Sequence, residues 1–117
     1  MEKVTGFGGA FFRANDPLAL AHWYRDHLGV DSGLDGETVW EQQAGPTVFA
    51  PFPTDNEKFG PDQQVMFNFR VRDLDGMMAQ LTAAGIDASE VEAYDHGRFA
   101  WITDPEGNNI ELWEPPS

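Results

Sequence analysis

The sequence predicts an α+β domain of two βαβββ modules, and three observations predict it. Two helical segments are each opened by an Asp and closed by a Gly, at Asp16 to Gly29 and Asp73 to Gly85, and strand-like runs flank both. Arg13-Ala14-Asn15-Asp16 and Arg70-Val71-Arg72-Asp73 correspond at an offset of 57, each Asp standing before its helix. At 117 residues the chain suffices for one core and is too short for two independent ones. A single domain over 1–117 follows, with modules at about 1–53 and 65–117 joined by a linker at 54–64.

The first module opens with "GFGGAFFRAND", an apolar run of strand character. Asp16 caps the helix and Pro17 takes its first position, where a missing N–H costs nothing. In "PLALAHWYRDHLG" apolar residues recur near a 3.6-residue period until Gly29 ends the helix. The runs "GETVWEQQ" and "PTVFAPFP" read as strands, and the polar, Pro- and Gly-bearing "PTDNEKFGPDQQ" breaks the pattern. A loop of that length is suited to forming a rim or lid.

The second module repeats the order. "VMFNFRVRD" is a strand, "DLDGMMAQLTAAG" a helix, and "GRFAWITD" and "NNIELWE" strands joined by "PEG". Asp104-Pro105 and Gly107-Asn108 supply turn chemistry, so "DPEGN" is structural. Period-2 alternation puts Phe67, Phe69, Ile110 and Leu112 toward the helices, with Ala10, Phe12 and Ala14 as their first-module counterparts. The opposite face receives Gly9, Phe11 and Arg13, then Met66, Asn68 and Arg70, then Asn109, Glu111 and Trp113, with Trp40 and Trp101 expected to join them.

Composition narrows the partners. Asp and Glu number 20 against seven Lys and Arg, a formal net charge of -13. Such a surface repels phosphate backbones and anionic lipid, which excludes nucleic acid and membranes as expected partners. Without cysteine there is no disulfide, thiolate nucleophile or thiolate metal site. The start of the chain lacks the pattern of a signal peptide, and no apolar run approaches the roughly 20 residues of a membrane span, so a cytoplasmic protein is expected.

"NDPLALAHWYRDHLGV", "FRVRDLDGMMAQLTAAGI" and "DPEGNNIELWEP" together resemble the vicinal oxygen chelate superfamily, which contains glyoxalase I, extradiol dioxygenases, and fosfomycin and bleomycin resistance proteins. The resemblance spans nearly the whole chain. It implies two modules whose mixed sheets curl around a concave cavity, with four metal-ligand positions in the metal-dependent members. Here those positions fall on Gly9, Met66, one of Thr47, Val48, Phe49 or Ala50, and Glu111. Glu111 alone is a ligand type, and Zn, Fe, Mn or Ni needs three or four converging N or O donors. No cofactor is therefore expected, and any divalent metal would have an incomplete ligand set built on Glu111.

Large aromatics with a few polar groups describe a small-molecule pocket, formed by Phe11, Arg13, Trp40, Met66, Asn68, Arg70, Arg98, Trp101 and Trp113. A plugged barrel or a dimer interface fits the same residues, and a homodimer is expected. His22 and His27 lie on the helix, away from this face. Were catalysis to occur, Glu111 is the candidate general base, His96 a candidate proton-transfer group, and Arg70 or Arg98 an oxyanion stabiliser. A buried Glu111 would pair with an arginine. Four functions stay open: a metal-free binder of an organic molecule, a metal-dependent lyase, isomerase or dioxygenase, a bleomycin-type resistance protein that sequesters its drug, and a structural or regulatory interaction domain that uses the sheet face for dimerisation.

Overall fold

The computed structural model describes residues 1–31 and 39–117. Helix α1, Pro17–Leu28, starts where the Asp16 carboxylate accepts a hydrogen bond from the Ala19 amide at 3.1 Å. It ends at Gly29, whose φ of 71° takes the left-handed turn that a side chain would resist. Its buried stripe is Leu20, Ala21 and Tyr24, while Leu18 is exposed.

One βαβββ unit follows: β1 (Phe67–Arg70), α2 (Leu74–Ala83), β2 (Glu92–Tyr94), β3 (Gly97–Thr103) and β4 (Asn109–Glu114). The sheet order is β1-β4-β3-β2, with β1 parallel to β4 and the other pairs antiparallel. Register confirms the alternation read from sequence. Phe67 and Phe69 pair with Ile110 and Leu112, whereas Asn68 and Arg70 pair with Glu111 and Trp113.

Both helices cover one face of this sheet. Leu20 and Tyr24 of α1 and Leu74 and Leu81 of α2 form the core with Ala100, Ile102, Ile110 and Leu112. The largest wholly buried side chains among them are Leu74, Leu81, Ile110 and Leu112, and each contributes on the order of 1.5–3 kcal/mol of apolar transfer. Phe12 adds edge-to-face contacts to Tyr24 and Phe67, as its placement on the helix side requires.

The first module departs from expectation. Among the described residues, none of the strand-like runs before residue 67 joins a ladder, so one module and no curled sheet is seen. Gly6, Gly8 and Gly9 raise the cost of ordering the first run, and Pro46, Pro51 and Pro53 remove ladder donors from the later one. Side chains there find little burial to offset that cost, since Phe11, Val48 and Phe49 are exposed.

Hydrogen bonds nonetheless fasten the first half to the second. The Glu106 carboxylate accepts from the amides of Asn15 (2.6 Å) and Asp16 (2.9 Å) at the entry to α1. Arg70 donates to the carbonyls of Pro46 (2.9 Å) and Gln43 (2.8 Å).

Candidate functional site

The sheet face turned away from the helices carries the polar and aromatic groups. Antiparallel register sets Phe99 opposite both Glu92 and Trp113, and Trp101 opposite Glu111, so all five side chains share that face. Phe99 stacks on Trp113 and on Trp101, with centroids 6.2 and 6.3 Å apart, and forms the middle of an aromatic row. The Trp113 indole donates to the His96 carbonyl at 2.9 Å, which fixes that end.

Glu111 is half-buried beside this row. One carboxylate oxygen accepts from Asn68 Nδ2 at 2.6 Å and the other from Trp101 Nε1 at 3.0 Å. Both donors are neutral, and among the described residues no arginine pairs with this carboxylate. Arg70 is occupied with the 43–46 backbone, and Arg98 lies on the helix side, ion-paired with Asp75 (2.8 Å) and Glu114 (3.2 Å). Hydrogen bonds from Arg98 hold the Asp75 carboxyl below its usual range. The expected arginine partner of Glu111 is thus replaced by an amide and an indole.

The 54–64 segment lies over the same face. Gln63 accepts from the Asn109 amide and donates to the Asn109 carbonyl, both at 2.8 Å, and Asn109 Nδ2 donates to the Lys58 carbonyl at 2.9 Å. The Lys58 ammonium then sits 3.8 Å from the centre of a Trp101 ring and 2.9 Å from a Glu92 oxygen. Hydrogen bonds from Tyr94 and Lys58 hold the Glu92 carboxyl below the usual carboxylate range.

Residues 9–113 match the sequence model of the glyoxalase-like domain family. The chain belongs to that family. Among solved structures, the fold of this glyoxalase-like domain is similar to that of TnmS3, an antibiotic binding protein from Streptomyces sp. CB03234 (TM-score 0.67, 20% identity, 99% of this chain and 100% of that one). It is also similar to lactoylglutathione lyase from Agrobacterium tumefaciens (TM-score 0.62, 20% identity, 97% and 96%). A member of the glyoxalase/bleomycin resistance protein/dioxygenase superfamily from Sphaerobacter thermophilus DSM 20745 gives a TM-score of 0.61 at 24% identity, covering 95% and 98%. The chain spans about half, 46%, of a further glyoxalase/bleomycin resistance protein from the same Streptomyces. No curated protein matches the chain.

The metal site implied by the superfamily does not fit this glyoxalase-like chain. Gly9 and Met66 offer no hard donor, and both oxygens of Glu111 are engaged by N–H donors that a cation would displace. Among the described residues no three His, Asp or Glu side chains gather closely enough to hold an ion.

Of the residues read from sequence, Asn68, Trp101, Glu111 and Trp113 come together. Others separate from them. His96 stacks on Tyr94 and packs on Phe99 beyond the start of β3. Four residue steps along the strand, about 13 Å, separate Gly97 from Trp101, and Phe99 packs against both His96 and Trp101. Trp40 packs on Phe69, on the helix side, and with Gln43, Arg70 and Met77 it lines a cleft of about 580 Å³ that excludes Glu111. Phe11 and Arg13 are exposed in the unpaired first segment, and Met66 is half-buried next to β1. Lys58, Glu92 and Tyr94 were missed. Alternation along "EAY" signals Glu92 and Tyr94 once β2 is recognised, but nothing local marks Lys58.

Proposed function

We propose that this glyoxalase-like protein binds a small organic molecule on the sheet face around Trp101 and Glu111, without the superfamily's metal site. The observation that carries this reading is Glu111 itself. A carboxylate held by an indole and an amide, beside the half-exposed Trp101 ring that Phe99 and Trp113 back from within, is a pre-oriented acceptor with a flat apolar floor. Its ligand would lay an aromatic or alkyl portion on Trp101 and donate hydrogen bonds to Glu111. The fold's likeness to an antibiotic binding protein is consistent with such a role.

The lyase, isomerase or dioxygenase reading asks Glu111 to act as general base on a metal-bound substrate. Two of its other ligand positions fall on Gly9 and Met66, which supply no hard donor, so binding is the better-supported activity.

Thermal unfolding with a panel of neutral and charged aromatic compounds tests the proposal. A ligand at one hundred times its Kd stabilises the native state by about 2.7 kcal/mol. At least one compound should raise Tm in the native protein and lose its effect in Glu111→Gln and Trp101→Ala. No Tm rise with any compound, or equal rises in the two variants, would refute binding at this face.

A further inference from the structure

Lys58 shows what kind of group the Trp101 face accepts. Its ammonium occupies the ring face at 3.8 Å and lies 2.9 Å from a Glu92 oxygen, while the edge of the same ring donates its N–H to Glu111 at 3.0 Å. Trp gives the strongest cation–π attraction of the aromatic residues. Donation of the indole N–H to a carboxylate pushes electron density back into the ring, which strengthens that attraction. Tyr94 completes the arrangement: its hydroxyl donates to the second Glu92 oxygen at 2.6 Å and so aims the first at the ammonium.

We propose that the Trp101 face, between Glu92 and Glu111, is a recognition site for an organic ammonium group, which Lys58 occupies in the free chain and which a cationic ligand takes by displacing it. This rests on the small-molecule reading above and names its ligand class.

The geometry makes Lys58 a removable occupant. Its backbone is fixed, since its amide donates to Asn56 Oδ1 and its carbonyl accepts from Asn109 Nδ2, both at 2.9 Å. Only the side chain needs to swing out, at the cost of one exposed ion pair and one exposed cation–π contact. A ligand ammonium restores both contacts and adds the burial of its own apolar part against Trp101. The net charge of -13 favours the encounter by attracting cations to the surface. Lys58 thereby sets a threshold: neutral compounds gain nothing by displacing it, and only a cation recovers what its removal forfeits.

Benzylammonium and benzyl alcohol, titrated against the native protein and Lys58→Met, separate these claims. The Trp101 indole N–H resonance in 15N spectra, assigned with Trp101→Phe, reports occupancy. The cation should shift that resonance and bind at least fivefold tighter than the alcohol, and Lys58→Met should tighten cation binding roughly fivefold or more. Equal cation affinity in native protein and Lys58→Met would overturn the competition by Lys58. If the alcohol binds as well as the cation, or a neutral panel compound binds at Trp101 while the cation does not, ammonium recognition is overturned and the small-molecule reading stands. If no compound of either set perturbs Trp101 or raises Tm, both fall.

Discussion

Two carboxylates seven residues apart on one hairpin, Asp104 and Glu111, do opposite work. Asp104 is 4% exposed and accepts four hydrogen bonds: from the Tyr24 hydroxyl (2.7 Å), the amides of Glu106 (2.9 Å) and Asn108 (3.0 Å), and Asn108 Nδ2 (2.7 Å). Glu111 accepts two, on an accessible face. A buried charge must be fully satisfied to be tolerated, and Asp104 is. Its partners come from both halves of the chain, so the turn binds α1 to the sheet. Glu111 retains acceptor capacity and room for a visitor. The difference teaches that donor saturation, more than residue type, separates a carboxylate that holds a fold from one open to a ligand.

The sharpest way to break the contrast is Asp104→Ala. It strands the Tyr24 hydroxyl and the turn amides, each an unpaired donor at about 1–3 kcal/mol where burial is complete. A loss of about 3–5 kcal/mol in urea unfolding is expected, a large part of the roughly 5–15 kcal/mol that domains of this size possess. A loss under 1 kcal/mol would show that the turn is not the clamp between the halves.

Tyr24→Phe removes one of those four donors and should cost about 1–2 kcal/mol at neutral pH. It also carries a pH signature. Burial, then the hydrogen bond to Asp104 and its charge, push the Tyr24 hydroxyl well above its ordinary value of 10.0. A raised value stabilises the fold fully below pH 10 and loses that contribution as pH climbs past it, because the unfolded chain releases the proton first. Between pH 10 and 11 the native protein should lose about 1 kcal/mol more than Tyr24→Phe. Parallel stability curves for the two would place the hydroxyl in water.

The roles of these groups differ in how far sequence exposes them. Alternation in "NIELWE" and "FNFR" assigns faces without reference to any partner, and the Asp-Pro and Leu-Gly signals delimit α1, so β1, β4 and both helices were legible. The "DPEGN" turn was legible as a turn but not as a clamp, because Tyr24 lies 80 residues from Asp104 and no local pattern links them. Strand propensity misled in the first module, where Phe7, Phe11, Val48 and Phe49 have strand character but pairing is a tertiary matter. Arg98 was misplaced for a simpler reason: counting from Ala100 and Ile102 by twos puts it on the helix side, where Asp75 and Glu114 meet it. Lys58 was invisible because a loop's landing site depends on Gln63 and Asn109 pairing across 46 residues.

Glu111→Gln sharpens the comparison from its mild end. The substituted amide keeps one acceptor oxygen for Asn68 or Trp101 and turns its NH2 toward the other donor, so one hydrogen bond is lost on an accessible face. Stability should fall by less than about 1 kcal/mol, well below the effect at Asp104. Ligand affinity should fall at least tenfold, since the variant removes both the charge and the pre-oriented oxygen, worth about 1.5–3 kcal/mol to a donor that reaches them. Urea unfolding and ligand titration on the same sample measure the two effects together. If Glu111→Gln costs as much stability as Asp104→Ala, then Glu111 is a second structural anchor and the face around Trp101 is built for packing.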